Sequence, residues 1–154
     1  MKLISGAKAI TDRRRFYLLS FTWGLLMNLG GLLVAAAMLL TGHKLLHWGP
    51  CFYFECGKCW GGMDWGIFFV VDRDADAHLK NHEMGHAMQN CRFGPLMPFL
   101  VGLPSSTRWW YRRIREKLKL KPPAEPYEAV WFEKQATELG FAYQEAMARE
   151  HRKA

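Results

Sequence analysis

Residues 80–90 read KNHEMGHAMQN. Two histidines and a glutamate, His82, Glu83 and His86, fall within five positions. Upstream, Asp74 and Asp76 are both N-cap residue types, and downstream Gly94-Pro95 is a stop. The stretch 76–92 is therefore predicted to be one helix. On a helix, positions i and i+4 lie one turn apart on one face, so both imidazoles can converge on a single metal ion. Glu83 is turned by about 100° from His82, beside such an ion rather than on it. A base standing there can take a proton from water that a zinc ion has acidified. Gly85, between the ligands, leaves room for a substrate or a strand to approach.

A catalytic zinc takes three protein ligands and keeps one position open. His78 is the nearest further histidine, but it stands in the same helical row, and three ligands in one row surround an ion poorly. His43, His47 and His151 are remote in the chain. Glu133 is the better candidate. It sits in WFEKQATELG (131–140), among Val130, Trp131, Phe132 and Ala136, where a carboxylate needs a partner. Glu138 is the alternative, with more surface-like neighbours. For stabilising a developing oxyanion the candidates are Tyr143, Tyr127, Tyr111 and the pair Gln89-Asn90, with none preferred.

The rest of the chain sets the context. It has 154 residues, half of them apolar, with a net charge of +7. From Phe16 to Leu40 no charge interrupts FYLLSFTWGLLMNLGGLLVAAAMLL, which is long enough to span a bilayer as a helix. This run is expected to be an uncleaved transmembrane helix rather than a signal peptide. The division expected is 1–44, a basic N-terminus with its transmembrane helix, and 45–154, a metal-binding domain. Residues 41–50 read as a connector. CFYFE (51–55) and GIFFVV (66–71) read as two strands of a short hairpin. The Phe68-Phe69 strand is the candidate edge for pairing with an extended peptide.

Residues 105–121, SSTRWWYRRIREKLKLK, carry seven cations against Glu116 alone, interleaved with aromatic and aliphatic residues. That composition suits a helix capped by Ser105 or Ser106 and lying in a membrane interface, its cations on anionic headgroups. Lipid is favoured over nucleic acid as its partner. Residues 94–104 are apolar but too short to cross a bilayer, and read as a buried loop or re-entrant segment. Pro126 suits the first turn of a last helix, 126–149. Five basic residues before residue 16 favour a cytoplasmic N-terminus and an outward remainder. The basic 108–121 stretch argues the other way. The two signals agree only if 94–104 re-enters or the first segment is not a simple span. Cys56 and Cys59, in CGKC, form a lone CxxC, which with Cys51 and Cys91 leaves free thiols, a disulfide or a second metal site open.

Three blocks, NHEMGHAMQN (81–90), GPLMPFLVGLPSSTRWWYR (94–112) and YEAVWFEKQATELG (127–140), together resemble small uncharacterised bacterial membrane proteins that carry a helical HExGHxxQ motif. More distantly the chain is similar to the gluzincin metallopeptidases of membranes. The resemblance implies an α+β, mainly helical zincin-like domain with the HExxH helix packed on a C-terminal helix. It implies His82, His86 and Glu133 as zinc ligands and Glu83 as general base. Thr137 stands where that pattern has aspartate, and can still orient a histidine by hydrogen bonding. The expectation is a zinc metallopeptidase of the bacterial plasma membrane, acting on peptide or protein substrates. The rival is a non-catalytic zinc-stabilised membrane protein that binds lipid or a protein partner.

Overall fold

In the computed structural model, which describes residues 8–126 and 129–152, the motif helix is α3, Ala77–Phe93. Asp76 caps it, its carboxylate accepting from the Leu79 N–H at 2.8 Å, and Gly94 ends it with a positive φ of 55°. Five α-helices and a mixed four-stranded sheet make the architecture α+β among the described residues. The strands are β1 (Leu46–Trp48), β2 (Cys51–Glu55), β3 (Gly62–Trp65) and β4 (Phe68–Val71), in the order β1-β2-β4-β3.

The expected hairpin of 51–55 with 66–71 is corrected. β2 and β4 are parallel neighbours, Phe52 opposite Phe68 through Glu55 opposite Val71. β3, which lies between the two expected strands, forms the antiparallel hairpin with β4. Likewise 46–48, expected in a connector, is β1, paired antiparallel to β2. The Phe68-Phe69 strand is thus interior, and β3 is an edge. Side-chain alternation explains the order, because both faces of the central pair are covered. Tyr53, Phe69 and Val71 pack with Met84, Ala87 and Met88 of α3 on one face. Phe54 and Val70 pack with Ala35 on the other.

The apolar run at 16–40 is not one helix. It forms α1 (Arg13–Phe21) and α2 (Leu25–Leu40), which meet at 91°. Among the described residues no single helix is long and apolar enough to cross a membrane, although this bent pair passes that test when taken together. The break is held by the only amide side chain in the run. Asn28, fully buried, donates to the Ser20 carbonyl at 2.6 Å and accepts from the Ile67 N–H at 2.8 Å. The first bond needs the chain to turn back on itself between Ser20 and Asn28, and the second ties the turned chain to the sheet. Phe16 is buried in the core under α3. α2 lies on the opposite sheet face through Met27, Asn28, Gly31 and Ala35.

After α3 the chain makes a 3-10 turn (Gly94–Leu96), a π turn (Pro98–Gly102) and α4 (Leu103–Lys117). Ser105 and Ser106 do not cap α4. They lie inside it, because the turn at 98–102 runs into the helix and Gly102 occupies the cap. The last helix, α5, spans Trp131–His151. It begins five residues after Pro126, so Pro126 is not in its first turn.

Candidate metal centre

α3 and α5 cross closely because two glycines face backbone. A Cβ on Gly85 would lie 2.5 Å from the Ala136 carbonyl carbon, and one on Gly140 would lie 2.6 Å from that of Asn81. The expectation that Gly85 makes room for a substrate or strand is therefore corrected, since it makes room for α5. This crossing brings Glu133, in the first turn of α5, over the two histidines of α3.

His82 Nε2 lies 3.1 Å from Glu133 Oε2, His86 Nε2 lies 3.3 Å from the same oxygen, and the two Nε2 atoms are 3.1 Å apart. All three residues are buried, and together they can hold a metal ion. The other ring nitrogens are engaged. His86 Nδ1 lies 2.8 Å from Gln89 Oε1. The Gln89 amide nitrogen donates to the Phe132 carbonyl and to Gln135 Oε1, so its oxygen accepts and His86 Nδ1 must donate. His82 Nδ1 lies 2.8 Å from Thr137 Oγ1, whose hydroxyl donates to the Glu133 carbonyl, so His82 Nδ1 donates too. In the neutral rings both Nε2 atoms therefore present lone pairs to each other and to a carboxylate. That arrangement requires a positive charge among them, a proton or a metal ion. Neither Glu133 oxygen has a well-directed hydrogen bond despite full burial.

The charges answer to the same geometry. Burial pushes the Glu133 carboxyl up, but His82, His86 and Ser105 outweigh it and hold the group well below the usual carboxylate range. Burial pulls His86 down, but the hydrogen bond and charge of Glu133, helped by Glu83 and Asp64, raise it to about 9. Burial raises Glu83 above its ordinary value, with His82 and His86 pulling back.

Glu83 lines the same cavity as the histidines, a space of about 480 Å³, within the usual size of a ligand site. The cavity lies between α3, β3 and α4, and Ser105, Ser106 and Trp109 of α4 form its far wall. Gly62 of β3 passes directly over Glu83, where a Cβ would come within 2.7 Å of the carboxyl carbon. Two residues on, Asp64 faces the same side of the sheet and lines the cavity. Its Oδ2 accepts from the Gly66 N–H, while its buried Oδ1 has no partner. Desolvation raises its pKa well above the ordinary value, His86 opposing and Glu83 adding to the rise. Sequence reasoning missed Asp64. Its signal was the period of two in GGMDW, which places residues 62 and 64 on one face.

Among the described residues, none of the oxyanion candidates lines the cavity. Gln89 is spent on orienting His86, and Asn90 donates to the Gly24 carbonyl away from it. Tyr143 is buried in the core, and the exposed Tyr111 accepts from Arg115. Tyr127 lies outside the described residues. Glu138 is exposed and pairs with Lys134. His78 lines the cavity one turn before His82 without joining the triad. The four cysteines are free thiols. Cys51 of β2 and Cys91 of α3 are buried in the core, apart from Cys56 and Cys59 in the β2–β3 turn. Compared with protein-family models, curated proteins and solved structures, the chain matches none.

Proposed function

We propose that the chain is a membrane-associated zinc metallopeptidase. The observation that carries this reading is the triangle of His82 Nε2, His86 Nε2 and Glu133 Oε2, open to a cavity that also holds Glu83. Two ligands of a tetrahedral zinc, each bonded at about 2.1 Å, lie about 3.4 Å apart. The three edges measure 3.1, 3.1 and 3.3 Å, so the donor atoms fit that ion with little movement. Two imidazoles and one carboxylate are also the donor set of a hydrolytic zinc, whereas structural zinc is closed by four protein ligands.

Bound there, zinc supplies a Lewis acid that polarises a carbonyl and acidifies water. The protein supplies the remainder. Gln89 and Thr137 keep both Nδ1–H groups turned away, so that Nε2 is the donor atom on each ring. Glu83, raised by burial, is suited to accept a proton from the attacking water and return it to the leaving amine. β3 is an edge strand beside the cavity, so an extended peptide can pair along it with its scissile bond at Glu83. Asp64, on the same face, can accept a substrate N–H.

The test separates catalysis from a purely structural metal. Glu83→Gln is expected to keep wild-type zinc content and lose peptide hydrolysis by at least about 100-fold. Equal turnover in that variant excludes the peptidase reading and favours the rival, a zinc-stabilised membrane protein without catalysis.

A further inference from the structure

The start of the apolar run touches a turn of the sheet that follows the run's end. Before the break, Tyr17 of α1 donates from its hydroxyl to the Pro50 carbonyl at 2.8 Å, and Arg13 reaches the Gly49 carbonyl at 3.4 Å. Gly49 and Pro50 lie beyond the end of α2, in the β1–β2 turn. A spanning helix would hold its two ends about 30 Å apart, in separate compartments. α2 has 16 residues, about 24 Å of helix, too short to cross alone. It is also two-sided. Its inner stripe is docked on the sheet, while Leu26, Leu29, Leu33 and Leu40 are 51%, 51%, 75% and 89% exposed. To straighten α1 and α2 into one span would strip Phe16 from the core and carry the Asn28 amide, its bonds broken, into hydrocarbon. Each unsatisfied polar group there costs several kcal/mol.

A second exposed apolar face adjoins the first. α2 meets the 94–102 segment through Met27 against Met97 and Val101. From there Phe99, Leu103, Trp110, Ile114 and Leu118 run outward, each between 52% and 67% exposed. The last four follow one helical stripe, and α4 buries no residue of its own. Cations flank both faces: Arg13, Arg14 and Arg15 are exposed at the start of α1, and Lys117 is exposed at the end of α4, beside a half-buried Arg115. Trp23 and Trp110 are half-exposed within these faces, the residue type that prefers the headgroup level.

Resting on the membrane reading above, we infer that this protein is monotopic. It docks on an anionic phospholipid bilayer by the outer faces of α2, of the 96–103 segment and of α4, and its chain does not cross. Both termini then lie on one side, and the conflicting charge signals of the N-terminus and of 108–121 become a single signal for the cytoplasmic leaflet. Trp110 belongs to both the docking face and the cavity wall, so the cavity adjoins the bilayer surface.

The experiment places a fluorescent protein that matures only in the cytoplasm, or a phosphatase active only outside, at either end of the full chain in bacterial cells. Both termini are expected on the same side and in the membrane fraction. A fluorescent N-terminus with an active phosphatase at the C-terminus overturns the inference while leaving membrane association standing. Recovery in the soluble fraction, without flotation on vesicles, overturns both. In a second arm, vesicles of phosphatidylcholine with phosphatidylglycerol are compared with phosphatidylcholine alone. Wild type is expected to prefer the anionic vesicles, and Leu33→Glu with Ile114→Glu to bind them roughly tenfold or more weakly at unchanged circular dichroism. Undiminished binding by that double variant removes the assigned face.

Discussion

Replacing Gly85 with alanine sets two effects of opposite sign against each other. In an ordinary helix interior alanine is better than glycine by about 1 kcal/mol. At position 85, however, the new Cβ would lie 2.5 Å from the carbonyl carbon of Ala136 and 2.9 Å from its Cα. Carbon atoms rest at about 3.5 Å or more, so α5 has to retreat by about 1 Å, and backbone has no rotamer with which to step aside. Such overpacking costs about 1–3 kcal/mol, which outweighs the gain in propensity. Glu133 stands three residues before Ala136 on the same rigid helix and retreats with it. Its Oε2 is 3.1 and 3.3 Å from the two imidazole nitrogens. After the shift these separations approach about 4.2 Å, the most that two atoms can have while sharing an ion with bonds of about 2.1 Å, and then only in a straight line. The Gly85→Ala protein is expected to hold little metal per chain by atomic emission and to melt below wild type by circular dichroism. Gly102→Ala, whose Cβ would meet nothing closer than 3.8 Å, is the control for propensity alone. Wild-type metal content together with an unchanged or raised melting temperature in Gly85→Ala would show that α3 and α5 do not cross at this distance.

Two further outcomes follow from the hydrogen bonds and charges around the triad. Thr137→Val keeps the side-chain shape but removes the acceptor for His82 Nδ1–H, and is expected to weaken metal binding about 10–100-fold in a chelator competition, with Thr137→Ser restoring it; unaltered affinity in the valine variant would exclude an orienting role. In metal-stripped protein His86 is raised from 6.5 to about 9, so its contribution to stability is full below about pH 6.5 and is lost as pH rises through 9. The attraction is the same one that depresses Glu133, and counted once it amounts to roughly 3 kcal/mol. A metal ion must displace that proton, so the gap in melting temperature between loaded and stripped protein is expected to widen from pH 6.5 to 9. A gap that is flat over this range would place no proton between His86 and Glu133.

The helix that carries the motif was legible because its signals are local. Asp76 and Gly94-Pro95 bracket it, and a spacing of four fixes the relation of His82 to His86 whatever the tertiary context. The strands were legible as segments but not in their pairing. β2 and β4 are parallel because 56–61 carry the chain past the end of β4 to the far edge, from which β3 runs back and β4 returns between the two, and nothing in 56–61 states that path. The apolar run was legible as apolar but not as two helices, for a physical reason. Composition measures how much of a segment shuns water, and not whether lipid or a sheet receives it. Asn28 was the dissenting residue, and its two buried hydrogen bonds are what break the helix.

For the site, the informative property is what remains after the polar groups are paired. Every residue of α3 from 81 to 91 is buried, so this helix has no solvent face on which polar residues could be placed freely. Asn81 accepts from the Trp48 indole, Asn90 donates to the Gly24 carbonyl, and Gln89 serves His86, Phe132 and Gln135 at once. Asn90 Oδ1 is left without a hydrogen bond, on a side chain turned to Gly24, while Glu133 and Asp64 lie on either side of the histidines. Glu133 Oε2 meets the two imidazole nitrogens at 3.1 and 3.3 Å, and Asp64 Oδ1 has no hydrogen bond. Two buried carboxylates beside a pair of imidazole lone pairs call for a shared positive charge, a proton in the stripped protein or a cation in the loaded one. Removing Glu133 should therefore lower the stability of the stripped protein below about pH 9, where His86 holds its proton, and also weaken whatever cation the triad holds. A stability defect alone, with cation binding intact, would assign this residue to packing.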